Sequence, residues 1–250
     1  MEKLVSIITP TYNSQQFILE TYHSIIAQSH QNWEWVVTDD CSFDTTIDIL
    51  TELASKDDRV KVYKTEVNSG AAVARNTSLR NAKGDYIAFL DSDDLWYESK
   101  LEKQIAFMGD SINFSYTAYE IVNENGQPSG KTIDHASPTE CTYYDQLKKT
   151  TTLGCSTVML RKDAFGTIQM PNLRNRQDFA LWLQLLKGGE KAYLIQEVLA
   201  KYRVVSNSIS RNKFKMAQRT WHVYRKVECL TLIKSLYYFS CYAWNSVFRK

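Results

Sequence analysis

The chain has 250 residues, of which 44% are hydrophobic and 23% are charged. This balance is typical of a globular protein and excludes a disordered chain, and no apolar run is long enough to span a bilayer. The net charge of +2 hides an asymmetry, because residues 211–250 contain nine Lys/Arg and one acid, whereas the rest contains 21 basic and 27 acidic residues. The basic tail indicates an anionic partner, either membrane headgroups or nucleic acid.

The cysteines and the N-terminal residues favour a cytoplasmic protein. The five cysteines are scattered and form no C-x-x-C pair, a pattern typical of reduced thiols rather than of a zinc site. The apolar run at residues 4–8 is too short for a signal-peptide core and runs into Pro10. The cysteines are Cys41, Cys141, Cys155, Cys229 and Cys241.

Strand and helix patterns alternate four times in the first half of the chain. Four alternations with short links predict an α/β fold with a mostly parallel, doubly wound sheet and right-handed crossovers. The chain has neither G-x-G-x-x-G nor a P-loop motif, so a phosphate bound here needs a metal to hold it. The expected strands are 4–8, 33–38, 60–63 and 86–90, and the expected helices are 14–27, 44–53 and 71–79.

The fourth strand ends in three carboxylates within four residues, Asp91, Asp93 and Asp94. Open α/β sheets bind ligands at the carboxyl ends of their strands, and close carboxylates repel one another unless a cation lies among them. Oxygen ligands of this kind favour Mg²⁺ or Mn²⁺. The alternative is an acidic, solvated turn that caps a helix expected to begin near Glu98. This stretch alone does not decide between the two.

The pattern changes after residue 108. Strands are expected at 112–122 and 155–160, with a long loop at 126–150 that covers a binding site. Residues 174–178 then open an apolar helix, with Asp178 in its first turn. An acid at that position is most often there to interact with the helix dipole, which is the structural alternative to a catalytic role.

Beyond Lys213 an apolar stripe at helical spacing runs beside Arg225, Lys226 and Lys234. Two structures fit this pattern: an amphipathic helix in the plane of a membrane surface, or a helix packed on the rest of the chain with a solvated basic face. No recognisable nucleic-acid-binding module accompanies the basic residues, so we do not expect a nucleic-acid partner. The stripe comprises Val227, Leu230, Ile233, Leu236, Tyr237 and Tyr242.

Five motifs occur in a characteristic order along the chain: Val5–Asn13, Asp39–Ser42, Asn68–Gly70 with Ala74–Asn76, Leu90–Asp94, and Gln177–Asp178 before Leu181–Leu183. Taken together, these motifs resemble the motif set of family 2 glycosyltransferases with the GT-A fold. The resemblance extends from residue 4 to about residue 210. It implies a nucleotide-sugar-binding half at 1–108, an acceptor-binding half with a smaller mixed sheet at 109–210, and a basic amphipathic helical tail at 211–250.

The resemblance implies a donor site for a UDP-sugar. Tyr12 would stack on the base, or simply close the turn after the first strand, and Asp40 would accept the imino N–H of uracil. Arg75 and Asn76 would lie near the pyrophosphate or base, although Arg75 could equally be an ion-paired helix residue. Asp39 could support the neighbouring loop. The implied nucleotide contacts are Pro10, Thr11, Tyr12, Asp40, Arg75, Asp91 and Ser92.

The resemblance also implies the chemistry. Asp91 and Asp93 match the D-x-D pair that holds Mn²⁺ or Mg²⁺ on the leaving diphosphate. Asp178 matches the catalytic base, which takes the acceptor proton in a single displacement that inverts the anomeric centre and yields a β-glycoside. Gln177 stands where many members have Glu, so a second acid beside the base is missing. Arg203 resembles a phosphate contact in a loop over the donor, which continues through Ser206, Ser208 and Ser210.

The implied function is transfer of one sugar to a hydroxyl of a glycan or of an undecaprenyl-diphosphate-linked acceptor, as in assembly of a bacterial O-antigen, capsule or other surface polysaccharide. The enzyme would lie on the cytoplasmic face of the inner membrane, held through its tail. Two other functions stay open: a nucleotidyltransferase acting on sugar phosphates, whose usual Gly-rich basic loop is missing here, and a binding module that has lost the chemistry.

Overall fold

The first half of the chain alternates strands and helices, as the sequence predicts. The computed structural model describes residues 2–205 and 213–248, except for the side chains of residues 213, 214, 247 and 248. Its first elements are β1 (Val5–Thr11), α1 (Ile18–Ile26), β2 (Trp33–Asp39), α2 (Thr46–Lys56), β3 (Val60–Lys64), α3 (Ala71–Asn81) and β4 (Tyr86–Phe89).

These four strands form a parallel sheet with a buried centre. β1 pairs in parallel with β2 and β4, and β2 pairs in parallel with β3. Every residue of β1, β2 and β4 is buried, which explains why these strands appear in the sequence as short apolar runs without alternation. Ile8 and Val36 pack in one core cluster, while Ile7 and Val37 pack in another, so the two clusters lie on opposite faces of the sheet.

The second half extends the same sheet with strands of both directions. β9 lies antiparallel between β4 and β6, and β10 runs parallel to β6, so a ten-stranded mixed sheet passes through both halves. The elements are β5 (Leu95–Trp96), α4 (Lys100–Met108), β6 (Phe114–Val122), β7 (Pro128–Ile133), β8 (Glu140–Cys141), α5 (Tyr143–Lys148), β9 (Met159–Arg161), α6 (Gln177–Leu186) and β10 (Ala192–Arg203).

Two expectations for this half are wrong. The expected loop at 126–150 contains β7, β8 and α5, and α5 begins with a capping box in which Thr142 and Asp145 exchange hydrogen bonds. The sequence does not predict β7, because this strand, paired with β6, is almost wholly exposed and has no alternation of apolar and polar residues. The expected strand at 155–160 is shorter, because Cys155–Thr157 forms one turn of 3₁₀ helix before β9.

The tail is helical and packs on α5 and α6. It contains α7 (Lys213–His222), a π-helical turn at Val223–Val227 and α8 (Leu232–Phe248). Tyr238 and Phe239 of α8 join a third core cluster with Phe179, while the opposite side of α8 exposes large apolar side chains. Among the described residues, no helix is both long and apolar enough to cross a membrane. The exposed side chains are Leu232, Ile233, Leu236, Tyr237 and Trp244.

Candidate active site

The sheet brings three of the sequence motifs to one edge. β1, β2 and β4 are neighbours and run in the same direction, so the segments after them leave from the same side of the sheet. Hydrogen bonds join these segments directly. The Asp40 amide donates to the Thr11 carbonyl at 2.8 Å, and the hydroxyl groups of Ser14 and Ser92 lie 2.8 Å apart. The predicted convergence at the carboxyl edge is therefore present.

Two exposed aromatic rings lie beside this edge. Tyr12 is 45% exposed, and its ring packs edge-on against that of Phe43, with the ring centroids 6.0 Å apart. Phe43 is 83% exposed, although exposure of a large apolar ring to water is unfavourable. Phe43 is not among the residues expected at the site from the sequence, where the available signal is an aromatic residue immediately after the Asp39–Ser42 motif. Pro10 and Thr11, by contrast, are buried within β1.

The paired aspartates after β2 have different partners. Both oxygens of Asp39 bind Ser42, through its amide and its hydroxyl group, which matches the loop-supporting role considered for Asp39. Asp40 is buried and accepts hydrogen bonds from the amides of Ser69 at 2.9 Å and Gly70 at 2.6 Å. Thr65 Oγ1 donates a third bond at 2.9 Å. A carboxylate has about four acceptor positions, so Asp40 keeps capacity for one further donor.

Arg75 is a buried cation with two unused nitrogen donors. It is 4% exposed and its Nη2 pairs with the Asp91 carboxylate, whereas Nε and Nη1 have no partner among the described residues. Burial lowers the pKa of a guanidinium, yet Asp91, with Cys155 and Asp178, raises the pKa of Arg75 above its ordinary value. Buried donors without acceptors are costly, so these two point to a missing anionic ligand.

Asn76, the next residue on α3, has a purely internal role in this structure. Its side-chain amide donates to the Met170 carbonyl at 2.9 Å and accepts from the Met170 amide at 2.7 Å. Both ends of the side chain are therefore taken by one backbone residue. This pair of bonds ties α3 to the segment that precedes α6.

Side chains from other parts of the chain bind the acidic turn after β4 through hydrogen bonds. The Asp91 amide donates to Ser156 Oγ at 3.1 Å, and the Ser156 hydroxyl group donates in turn to the Asp94 carboxylate at 2.5 Å. Thr21 Oγ1 lies 3.0 Å from the carbonyl oxygens of both Ser92 and Asp94. The turn therefore has a fixed backbone conformation.

Arg203 lies behind the same turn, and this position is not the one expected for a phosphate contact. Its guanidinium is buried and donates to the Asp93 carbonyl at 2.8 Å, the Glu124 carbonyl and the Glu20 carboxylate, while its amide donates to Asp94 at 2.9 Å. All three guanidinium nitrogens are engaged, so the side chain supports the turn and is not available to a phosphate in this arrangement. Ser206, Ser208 and Ser210 lie outside the described residues.

The three carboxylates of the turn differ in environment. Asp94 is fully buried, and burial together with Asp93 and Asp91 raises its pKa well above the ordinary value. Burial, followed by the charge of Asp91, raises the pKa of Asp93 to about 6. Asp94 therefore stabilises the turn from its buried side. Asp91 and Asp93 are partly exposed, and the charge of Asp91 is paired with that of Arg75.

This pair of carboxylates fits a hard divalent cation. No set of three His, Cys, Asp or Glu residues suited to a metal occurs within the described ranges, so the protein alone offers no closed metal cage. Mg²⁺ commonly binds through one or two carboxylates and completes its shell with substrate phosphates and water. Asp91 and Asp93 supply that number of carboxylates, next to the unused donors of Arg75.

Asp178 lies in the first turn of α6 and belongs to the same electrostatic group. Arg75 interacts with both Asp91 and Asp178, and so does the buried thiol of Cys155. Burial raises the pKa of Cys155 well above its ordinary value, so the thiol is neutral. Gln177 is buried, and its Oε1 has no partner among the described residues. Sequence analysis placed Cys155 in a strand and gave no signal that it belongs to this group.

Comparison with known proteins gives a consistent result. Residues 6–168 match the family described as Glycosyl transferase family 2. TuaG of Bacillus subtilis, a candidate glycosyltransferase of teichuronic acid biosynthesis, is 51% identical over 248 residues, covering 99% of this chain and 97% of TuaG. The Escherichia coli protein WfgD, named as a UDP-Glc:α-D-GlcNAc-diphosphoundecaprenol β-1,3-glucosyltransferase, is 41% identical over 222 residues, covering 88% of this chain and 85% of WfgD.

The fold is also similar to that of a solved structure. TarS 1–349 of S. aureus in complex with UDP-GlcNAc superposes with a TM-score of 0.75 at 23% identity, covering 98% of this chain and 73% of that one. At this identity the likeness concerns the fold alone. With the family match over residues 6–168, the relatives and the mixed ten-stranded sheet, the chain belongs to glycosyl transferase family 2 and is a glycosyltransferase with the GT-A fold.

Proposed function

We propose that the enzyme transfers one sugar from a UDP-sugar to a hydroxyl of a lipid-linked glycan, with inversion at the anomeric carbon. The observation that carries this proposal is the environment of Arg75. Its Nε and Nη1, which have no partner in the part of the chain that the structure describes, lie in an electrostatic group with Asp91 on the donor side and Asp178 at the start of α6. A leaving diphosphate and an acceptor base are the two groups that a displacement at a sugar carbon requires.

The donor nucleotide would bind at the ends of β1 and β2. Tyr12 and Phe43 offer exposed rings for stacking on a flat base, and Asp40 keeps acceptor capacity for an imino N–H, a contact suited to uracil. Pro10, Thr11 and Ser92 would contribute through the backbone at the same edge. The diphosphate would then lie against Arg75, whose free Nε and Nη1 match the oxygens of a phosphate group.

Asp91 and Asp93 would hold Mn²⁺ or Mg²⁺. When bound, this ion supplies positive charge to the diphosphate as it leaves. The chain's own residues prepare the site in two ways: Arg203 and Thr21 immobilise the backbone of the turn, and Arg75 orients Asp91. Ligands held in advance need no reorganisation during the reaction.

Asp178 would act as the general base. The acceptor hydroxyl passes its proton to the Asp178 carboxylate while its oxygen forms a bond to the anomeric carbon. The bond from that carbon to the diphosphate oxygen breaks at the opposite side, and UDP leaves with the electron pair. An α-linked donor therefore gives a β-glycoside. Gln177, with a free Oε1, could accept a hydrogen bond from the acceptor, but it cannot take a proton.

The acceptor would be presented at a membrane surface. WfgD is named for an acceptor linked to diphosphoundecaprenol, and a lipid-linked acceptor of this class fits the tail of the present chain. The exposed side of α8 carries large apolar residues, and the one acid of the tail, Glu228, is buried and paired with Lys187. The apolar side and the basic residues together favour contact with anionic lipid on the cytoplasmic face, in surface-polysaccharide assembly.

The first test is calorimetric titration of the purified protein with UDP, with Mn²⁺ present and again with EDTA. We expect UDP to bind more tightly with Mn²⁺, and we expect Asp93→Ala to lose that difference, because the ion then lacks one of its two protein ligands. Asp110→Ala, an exposed acid outside the site, is the control and should keep the full effect of Mn²⁺. Equal binding with Mn²⁺ and EDTA in the unaltered enzyme would contradict the metal site.

A second test compares two arginines of α3. Arg75→Ala should weaken UDP binding about 10- to 100-fold, since a hydrogen bond to a charged group contributes roughly 1.5–3 kcal/mol. Arg80→Ala is the matched control, because Arg80 is exposed on the same helix and its side chain binds Thr77. The measurement is the Kd of UDP with Mn²⁺. Similar affinities for both variants would remove Arg75 from the phosphate site.

A third test addresses the base. Asp178→Asn should lower kcat about 10²–10⁴-fold, the range for loss of a general base, while the Kd of UDP stays within about twofold. Transfer can be followed from UDP-glucose to a GlcNAc-diphosphate acceptor with a short alkyl chain. Asp163→Asn, an exposed acid before β10, serves as the control. Undiminished transfer by Asp178→Asn would exclude the assigned role.

A fourth test addresses the membrane. The enzyme should cosediment with vesicles of phosphatidylethanolamine and phosphatidylglycerol, and less with phosphatidylcholine alone. Leu236→Ser should weaken binding about tenfold, because burial of a Leu side chain contributes roughly 1.5–3 kcal/mol. Leu19→Ser alters a comparably exposed leucine on α1 and should have no effect. Equal binding by both variants would argue against α8 as the membrane surface.

A further inference from the structure

The start of the α6 helix has an unusual backbone conformation. Arg176, the residue before the helix, lies in the left-handed region with φ 63° and ψ 17°, and its side chain does not cap the helix. A non-glycine residue adopts this conformation at a cost, and it persists where surrounding contacts impose it. Asp178 follows two residues later. The conformation at Arg176 therefore determines where the first turn of α6, and with it the Asp178 carboxylate, is placed.

The side chain of Arg176 is in contact with the tail and with its own helix. The guanidinium of Arg176 donates a hydrogen bond to the hydroxyl oxygen of Tyr242 on α8. It also lies over two aromatic rings, 5.5 Å from the centroid of Tyr242 and 5.6 Å from that of Phe179. Lys149 also lies over the Tyr242 ring, with its Nζ 4.9 Å from the centroid, and Tyr242 is 6% exposed. Arg176 is thus anchored on the buried side of α8.

The same helix presents its opposite side to solvent. Ile233 is 80% exposed, and Leu236 and Trp244 are more than half exposed. α8 therefore connects the surface proposed to contact lipid with the residue that begins the base-bearing helix. These two sides belong to one helix, about 10–12 Å across with its side chains, so movement of α8 as a rigid body reaches Arg176 directly.

We propose that α8 is a positioning element for catalysis: its Tyr242–Arg176 contact sets the start of α6, and so places Asp178 at a defined height above the membrane that presents the acceptor. Arg176 and Tyr242 act through Asp178 and do not themselves touch the reacting atoms. This inference rests on the proposed function, in which Asp178 is the base and the acceptor is lipid-linked. A misplacement of about 1 Å can cost about 10²-fold in rate, so a single contact of this kind matters.

The test is Tyr242→Phe, which keeps the ring and removes the hydroxyl group that Arg176 binds. Tyr144→Phe is the matched control, because Tyr144 is exposed on α5 and stacks on the same tail helix through Tyr238. Amide hydrogen exchange should become faster in residues 177–181 of the Tyr242→Phe protein, and remain unchanged in α3. The same variant should lose about tenfold in kcat for transfer from UDP-glucose to the short-chain GlcNAc-diphosphate, with the Kd of UDP within about twofold.

A double-mutant cycle distinguishes positioning from general destabilisation. The double variant Arg176→Ala with Tyr242→Phe should be no slower than the more impaired single variant, because both substitutions remove the same Arg176–Tyr242 contact. Unchanged exchange in residues 177–181 would overturn the proposal, and so would faster exchange throughout the chain, since the contact would then be merely structural. Failure of the proposed function is separate: the unaltered enzyme would neither bind UDP nor transfer the sugar, whatever the exchange result.

Discussion

The structure of the site depends on the immobilised turn at residues 91–94. Three carboxylates in four residues repel one another, so the turn keeps its shape only because groups from distant parts of the chain bind it. Thr21 comes from α1, Ser156 from the 3₁₀ turn before β9, and Arg203 from the end of β10. The sheet places both groups at this edge: β10 runs in the same direction as β4 and ends at Arg203, and the antiparallel β9 begins there, just after the 3₁₀ turn with Ser156.

The three aspartates of this turn have different roles because their hydrogen-bond and ion-pair partners differ. A carboxylate can bind a metal ion, but that of Asp94 is buried and accepts hydrogen bonds from Ser156 and from the Arg203 amide. Asp91 has Arg75 beside it, which compensates one negative charge, whereas Asp93 has no such partner among the described residues and has a pKa raised to about 6. A cation at Asp91 and Asp93 would therefore complete a charge balance that the protein leaves open.

Sequence reasoning reached the first half of the fold and less of the second. Buried parallel strands have a clear signal, because each is a short apolar run that ends in polar residues, and all four were expected close to their observed positions. β7 and α5 had no such signal, because an exposed strand at the side of a sheet and a six-residue helix both consist largely of polar residues. The motifs identified Asp40, Arg75 and Asp178 as candidate site residues. The partners of Arg203, by contrast, are residues 20, 93 and 124, which are distant from it in the sequence, so no local pattern predicts these contacts.

The structure of the tail explains why the helical spacing of its apolar residues does not by itself predict which surface they contact. Its residues divide between two surfaces: Tyr242 is buried, and Val227 and Leu230 are partly buried against the third core cluster, whereas Ile233 and Leu236 face solvent. Packing on the enzyme and binding of a lipid surface were considered as alternatives, but a helix with two apolar sides can do both at once. Under the proposed function, a helix that contacts both the membrane and the enzyme would define the distance between the bilayer and Asp178.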